Sequence, residues 1–128
     1  MPHLTIQYSA NVESKLKIDE LCSVMHEVML ATGVFPLAGI RVRAFRADAV
    51  AIADQLPDNG FIDMVLRMGE GRTKEVKQQA GDQIFKRAEE FCSDLFATPH
   101  FAVSMEIVEI NKAYSWKTNT MHPRLQTC

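Results

Sequence analysis

The second residue of the chain is a proline, and its position gives it a chemical group that the other four prolines lack. An initiator methionine followed by a small residue is commonly removed, which would leave Pro2 with a free secondary amine. An α-amino group titrates near pH 8, and burial or nearby cations lower its pKa towards neutrality, where a general base works best. Pro2 is therefore a candidate acid–base residue, although a proline at this position is equally typical of the start of an edge strand.

Three arginines supply a second chemistry, the binding of carboxylates. Arg41 and Arg43 are two residues apart on a predicted strand, so their side chains share one of its faces. Arg72 stands in the turn Gly69–Arg72, just before a predicted helix whose first N–H groups also favour anions. A guanidinium binds a carboxylate through two parallel hydrogen bonds, and its charge lowers the pKa of an adjacent amine. Together the three predict a carboxylate clamp, whereas each arginine alone is typical of a solvated surface.

The sequence lacks the signatures of several enzyme classes. It contains no G-x-S-x-G, H-E-x-x-H or G-x-x-x-x-G-K-[ST] motif, and Gly69-Glu70-Gly71 lacks the third glycine of a dinucleotide-binding fingerprint. The four histidines do not pair at metal-ligand spacing, and the three cysteines are too widely spaced for a disulfide framework or a structural zinc site. We therefore expect no metal.

Composition and charge exclude several other classes. The chain has 128 residues, of which 47% are hydrophobic and 23% charged, so we expect a single domain, residues 1–128, with a packed core. The formal net charge is -2 and no long basic run occurs, which argues against a nucleic-acid partner. No apolar stretch is long enough for a membrane helix, and residues 1–30 lack the pattern of a signal peptide. These features predict a cytoplasmic protein without a membrane partner.

Hydrophobic periodicity divides the chain into two strand-helix-strand repeats, about residues 2–46 and 61–110, followed by a C-terminal tail. Alternating apolar and polar residues predict the strands, and apolar residues at helical spacing predict the helices. The predicted elements are a strand at 3–8, a helix at 13–32, a strand at 40–45, a strand at 61–68, a helix at 73–95 and a strand at 101–108.

This order predicts an α+β fold in which two β-α-β units form one four-stranded mixed sheet with both helices on one face. The other face of such a sheet needs a cover, and in a short chain another subunit is expected to provide it. The tail, residues 111–128, is too short and too polar to be a domain, so we expect it to pack on a neighbour or to border a site.

These features resemble the tautomerase superfamily, in which Pro2 at the head of a strand, the repeated unit and Gly71-Arg72-Thr73 have counterparts. Within the superfamily, residues 31–43 and 71–81 are similar to the corresponding runs of the 5-carboxymethyl-2-hydroxymuconate delta-isomerase family. The similarity covers nearly the whole chain, including residues 115–119. It departs at Trp116, where phenylalanine is expected, and in the connection at residues 47–60.

The resemblance implies a homotrimer that needs no cofactor. It implies an isomerase that converts 5-carboxymethyl-2-hydroxymuconate, a small polycarboxylate, into its 2-oxo isomer in homoprotocatechuate (4-hydroxyphenylacetate) breakdown. Pro2 would act first as base and then as acid, while Arg41 and Arg72 would contact carboxylates and stabilise negative charge on the 2-oxo group. Further substrate-binding residues are then expected at Arg43, Phe35, Phe45 and Trp116.

Two alternatives stay open at the level of sequence. One is a tautomerase that acts on another substrate, such as phenylpyruvate or 4-oxalocrotonate. The other is a non-enzymatic oligomeric binding protein of the same fold, in which Pro2 has only a structural role.

Overall fold

Four strands and two long helices form the body of the protein, and the computed structural model describes them within residues 1–126, so that Cys128 lies outside the described residues. Strands and helices alternate as the periodicity predicts. Short helices follow the second long helix and the last strand. The bounds are β1 His3–Ser9, α1 Ile18–Ala31, β2 Arg41–Ala47, β3 Gly60–Gly69, α2 Lys74–Phe91, α3 Ser93–Phe96, β4 Phe101–Ile110 and α4 Met121–Gln126, with 3-10 turns at Ala10–Ser14, Leu37–Gly39 and Lys112–Tyr114.

The sheet is mixed and has the strand order β2-β1-β3-β4. The two outer pairs, β1 with β2 and β3 with β4, are parallel, and the central pair, β1 with β3, is antiparallel. A parallel pair needs a crossover, and α1 and α2 supply the two crossovers. Both helices lie on one face, where they pack against each other and against the sheet. The predicted fold class is confirmed.

Alternation along the central strands builds the core. Leu4 and Ile6 on β1, together with Met64 and Leu66 on β3, are fully buried on the helix-covered face. Each such side chain stabilises the fold by about 2 kcal/mol relative to an exposed one. The apolar stripes of α1 and α2 cover the same face, with Met25 and Ile84 among the residues that have no exposed surface.

Two helix boundaries differ from the prediction. The helix expected from residue 13 begins at Ile18, because Ser14 donates its Oγ hydrogen to the Asn11 carbonyl (3.0 Å) within a 3-10 turn and does not cap α1. The helix expected to reach Leu95 ends at Phe91, because buried Cys92 leaves helical geometry (φ -95°, ψ 12°) before a short second helix. The burial of Cys92 also raises the pKa of its thiol to about 11.

The face of the sheet away from the helices is open in this chain. His3, Arg41 and Arg67 lie side by side across three strands of this face. Phe45 and Val108 are exposed on it as well. Among the described helices, none combines the length and the apolar composition that crossing a membrane requires.

The two ends of the sheet collect different side chains, because the outer strands run parallel to their inner neighbours while β1 and β3 run in opposite directions. One end, which we call the cationic end, joins the starts of β1 and β2 to the ends of β3 and β4 and carries Pro2, Arg41, Arg72 and Lys112. The other, the amide end, carries Ser9, Asn11, Asn59 and His100. The N-terminus therefore meets the turn that precedes α2.

Candidate active site

Pro2 is held at the cationic end by its backbone and by a close glycine. Its carbonyl accepts a hydrogen bond from the Arg41 N–H (3.1 Å), which continues the β1–β2 ladder by one residue. Its ring packs on Gly39, where an added Cβ would stand 3.1 Å from Pro2 Cδ. Few Cβ contacts in proteins are that close, so the absence of a side chain at Gly39 makes room for the ring.

A cavity of about 460 Å³ opens at Pro2. Three cationic side chains line it, Arg72, Lys112 and Lys117, against one carboxylate, Glu70, whose Oε1 accepts the Lys112 backbone N–H (3.0 Å). The cavity therefore has an excess of positive charge. The complete lining consists of Met1, Pro2, Pro36, Gly39, Gly69, Glu70, Arg72, Lys112, Lys117, Asn119 and His122.

The Arg72 guanidinium is fixed from two sides. Nη1 donates to the Gly69 carbonyl (3.2 Å), Nη2 donates to the Val34 carbonyl (3.1 Å), and the group lies over the Phe35 ring, 5.4 Å from its centroid. These bonds use two of the five N–H donors of an arginine. Because no carboxylate within residues 1–126 comes within 4 Å of Arg72, the remaining donors can bind an anion.

The other two arginines lie beside the cavity and outside its lining. Arg41 donates from Nη1 to the Ala38 carbonyl (2.9 Å), next to the turn that holds Pro2. Arg43 is on the open face of the sheet, where its Nη1 lies 3.1 Å from His3 Nδ1. The structure thus brings Arg41 close to Pro2, whereas Arg43 lies two residues further along β2.

The three predicted aromatic residues occupy three different environments. Phe35 is only 4% exposed, and its ring packs against the Arg72 guanidinium. Phe45 is 52% exposed on the open face, four residues along β2 from Arg41, or roughly 13 Å. Trp116 in the tail is 87% exposed. Within this chain, none of the three lines the cavity at Pro2.

The terminal amine at the cationic end has a lowered pKa. In the structure this amine belongs to Met1, and burial is the main cause, because a charged ammonium loses hydration there. The cations Lys117, Arg72, Arg41 and Arg67 lower the pKa further, in that order of effect. An amine at this end of the chain is therefore shifted towards its neutral form, the form that accepts a proton.

Sequence reasoning missed the residues that the tail contributes. Lys112, Lys117, Asn119 and His122 line the cavity, and the Asn119 Nδ2 donates to the Ala38 carbonyl (2.9 Å). Of the two locations expected for the tail, this chain shows the one that borders a site. Two signals in the sequence pointed to this segment: a cluster of polar and cationic residues directly after the last strand, and the resemblance that extends over residues 115–119.

The chemistry available in the cavity is proton transfer and anion binding. In the part of the chain that the structure describes, no group of three or more His, Cys, Asp and Glu side chains is arranged to hold a metal ion. The cavity is lined by several hydrogen-bond donors and has an excess of positive charge beside the terminal amine.

Comparison with known proteins places this geometry in a family. A family model described as 5-carboxymethyl-2-hydroxymuconate isomerase matches residues 2–125. The chain belongs to this family. A curated relative from Escherichia coli, 5-carboxymethyl-2-hydroxymuconate Delta-isomerase, is 34% identical over 122 residues, which cover 95% of this chain and 97% of the relative.

Solved structures agree with the assignment to the 5-carboxymethyl-2-hydroxymuconate isomerase family. The isomerase from Deinococcus radiodurans R1 is 37% identical, with a TM-score of 0.90 over 97% of this chain and 93% of that one. A second 5-carboxymethyl-2-hydroxymuconate delta-isomerase is 31% identical, with a TM-score of 0.90 over 98% of this chain and 93% of that one. A fused 4-OT symmetric trimer, at 16% identity and a TM-score of 0.53 over 91% of this chain and 93% of that one, shares the fold alone. The resemblance read from the sequence is confirmed: the protein is a member of an isomerase family with a tautomerase-like fold.

Proposed function

We propose that this protein isomerises 5-carboxymethyl-2-hydroxymuconate to its 2-oxo isomer, with the Pro2 amine as general acid and base once Met1 has been removed. Family membership supports the substrate and the reaction. One structural observation supports the mechanism: Pro2 lies at a cavity with excess positive charge, where burial and four cations lower the pKa of the adjacent Met1 amine, and removal of Met1 would expose the Pro2 amine to the same cations.

The reaction moves one proton and two double bonds. The neutral Pro2 amine takes the hydroxyl proton at carbon 2 of the dienol, so that the O–H bond breaks and a carbonyl forms there. The double bond between carbons 2 and 3 is replaced by one between carbons 3 and 4. The former double bond between carbons 4 and 5 supplies the electron pair for a new C–H bond at carbon 5. The protonated Pro2 returns the proton to that carbon, so one group acts in both steps.

Arg72 and Arg41 stabilise the charge that develops. The dienolate formed by proton removal carries negative charge on the 2-oxo oxygen, and a fixed guanidinium stabilises such charge without reorganising. Arg72 is fixed in this way by two backbone carbonyls and the Phe35 ring. Arg41, held by Ala38, binds the adjacent carboxylate, and Arg43 contributes to the positive field from the open face.

The proposal includes an assembly and a setting. It takes residues 1–128 as one domain that forms a homotrimer through the open face of the sheet. Phe45 and Trp116 would then contact the active site of a neighbouring subunit, and they would not line the cavity of their own chain. The reaction would need no cofactor and would serve homoprotocatechuate breakdown in the cytoplasm. The exposed apolar side chains on the open face and the trimer formed by a protein of this fold support the assembly.

The decisive test is a spectrophotometric assay of 5-carboxymethyl-2-hydroxymuconate ketonisation. The wild-type sample is protein whose mass shows that Met1 is absent, and the comparison is Pro2→Ala, which replaces the secondary amine by a primary one. We expect rapid turnover by the processed wild type and a fall in kcat of at least about 100-fold in the variant.

A second sample isolates the amine itself. Protein that retains Met1 has the Pro2 nitrogen in an amide bond, so we expect it to lose activity while its melting temperature stays the same. Phenylpyruvate and 2-hydroxymuconate serve as competing substrates. Faster turnover of either than of 5-carboxymethyl-2-hydroxymuconate would reassign the substrate, and failure of processed protein on all three would favour the binding-protein alternative.

A further inference from the structure

The segment that follows β4 forms a strap over the cationic end. It is attached at two points: the Lys112 N–H donates to Glu70 Oε1 (3.0 Å), and Asn119 Nδ2 donates to the Ala38 carbonyl (2.9 Å). These points lie on the two turns that flank Pro2. Residues 112–119 therefore border the cavity, and three of their side chains line it, those of Lys112, Lys117 and Asn119.

A second cavity of about 310 Å³ adjoins the first at the strap. It shares four lining residues with the cavity at Pro2, namely Met1, Gly69, Lys112 and Lys117. Ile110 and Ser115 complete its lining. The two lysines thus stand between two adjoining chambers, of which one contains Pro2 and Arg72 and the other contains neither.

The backbone brings one of these lysines into van der Waals range of the turn before Arg72. Gly71 has φ +109°, a conformation that side-chain-bearing residues rarely adopt, and a Cβ added there would meet Lys112 Nζ at 3.5 Å. The ammonium therefore lies against the turn that precedes Arg72. Within residues 1–126, neither Lys112 nor Lys117 has a carboxylate within 4 Å of its ammonium.

Lys112 and Lys117 both line the two cavities, so the charges of their two ammonium groups would attract an anion bound there. Arg72 is tied to Gly69 and Val34 and serves the chamber at Pro2. The lysines therefore form a separate group of cations. A substrate with a carboxylate beyond those bound next to Pro2 would match it.

We propose that Lys112 and Lys117 form a carboxylate subsite, distinct from Arg72, that selects substrates with a third carboxylate. The identity of the natural substrate rests on the proposed function, whereas the subsite itself is a property of the strap. The strap would then determine substrate specificity, whereas the Pro2 amine before β1 would transfer the proton.

Calorimetric titration of processed protein with propane-1,2,3-tricarboxylate and with glutarate tests the subsite without turnover. We expect Lys112→Met and Lys117→Met each to weaken tricarboxylate binding about tenfold, the usual worth of one charge-assisted hydrogen bond, and to change glutarate binding less than twofold. Lys86→Met, on the exposed side of α2, is the matched control and should change neither affinity. Melting temperatures confirm that the variants are folded.

Turnover gives a parallel measurement. In each lysine variant, the ratio of kcat/KM for 5-carboxymethyl-2-hydroxymuconate to that for 2-hydroxymuconate, which lacks the carboxymethyl group, should fall about tenfold. Equal losses for the tricarboxylate and the dicarboxylate would overturn the subsite and reduce the lysines to a general positive field. Equal affinity of wild type for the two probes would overturn it as well. Wild type that turns over neither substrate would refute the proposed function alone, because the calorimetric result still decides the subsite.

Discussion

The cationic end and the amide end of the sheet are built from the same four strands, but their polar side chains differ in whether they bind one another. At the amide end, Asn11 Nδ2 donates to the Asn59 carbonyl (2.9 Å) and Asn59 Nδ2 donates to Asp54 Oδ1 (2.7 Å). His100 Nδ1 lies 3.0 Å from Asn59 Oδ1, and Ser9 donates to Asn11 Oδ1 (2.7 Å). The polar groups of this end bind one another.

At the cationic end, the corresponding groups point into a cavity. Arg72, Lys112 and Lys117 have no carboxylate partner among the described residues. The amide end also has a cavity, of about 230 Å³, but its lining includes no Lys or Arg. The difference teaches that the polar groups of the amide end stabilise the connection between the two halves, whereas the unpaired charges of the cationic end are available for the substrate binding that we propose.

The largest expected effect is at Arg72. Replacing it with methionine removes the guanidinium from the developing negative charge, so kcat/KM should fall by about 100- to 1000-fold. Arg87→Met is the matched control, since Arg87 is an exposed arginine paired with Glu90 on α2, and it should leave kcat/KM unchanged. Equal kinetics of the two variants would show that Arg72 has no role in the reaction. The proposed difference in function between the two ends would then be wrong.

Asn59→Ala should show the opposite behaviour. It leaves the Ile52 carbonyl, Asp54 and the His100 ring without their buried amide partner, which should lower the free energy of unfolding by about 2–3 kcal/mol. Urea denaturation measures the loss. The kcat/KM of the folded fraction should stay within about twofold of wild type, because the amide end does not touch the reacting atoms; a large kinetic defect would contradict the division of roles.

Gly39→Ala tests whether catalysis depends on the exact position of the Pro2 ring. The added methyl group would stand 3.1 Å from Pro2 Cδ, so the ring must move by a few tenths of an ångström. We expect kcat/KM to fall about tenfold, since misplacing a catalytic group reduces the fraction of productive geometries. Gly81→Ala on α2 meets the flexible ends of Ile107 and Met105 and should leave the kinetics unchanged, which controls for glycine replacement in general.

The smallest effect concerns His3, whose pKa is lowered to about 4 by burial and by Arg67, Arg43, the terminal amine and Arg41. Its ordinary pKa is 6.5, so between pH 6.5 and pH 4 the unfolded state binds more protons than the folded state. This contribution to stability is complete above pH 6.5 and is lost as the pH falls towards 4.

His3→Gln cannot take up that proton and should therefore lose less stability on acidification. We expect the decrease in unfolding free energy between pH 7 and pH 4.5 to be smaller than in wild type by about 1 kcal/mol, a value reduced for solvent screening. Urea denaturation at the two pH values measures it. Identical decreases in wild type and His3→Gln would show that burial and the neighbouring cations do not lower the pKa of this ring.

Much of the fold follows from local patterns. Alternation in β1 and β3 predicts the buried faces, and the apolar stripe of α2 predicts a helix that Thr73 caps by accepting the Val76 N–H. The start of α1 was missed because Ser14 bonds to Asn11 instead of capping the helix. A competition of that kind between two local hydrogen bonds is not visible in hydrophobic periodicity.

Part of the candidate site was also visible in the sequence. Pro2 and Arg72 stand out by residue type and by their position beside predicted elements, and both line the cavity. Lys112 and Lys117 do not stand out, because a lysine in a polar tail is typical of solvated surface. Their place in the site depends on the hydrogen bonds from the tail to Glu70 and Ala38.

The sequence by itself therefore determined the elements, the buried faces and the candidate base, since each depends on residues near one another in the chain. Tertiary structure decided that β1 and β3 lie antiparallel, which brings the N-terminus to the turn before α2. It also decided which cations lie near the terminal amine and where the strap, residues 112–119, lies beside the cavity. These features arise from contacts such as Asn119 with Ala38 and Arg72 with Val34, which join distant segments once the core has packed.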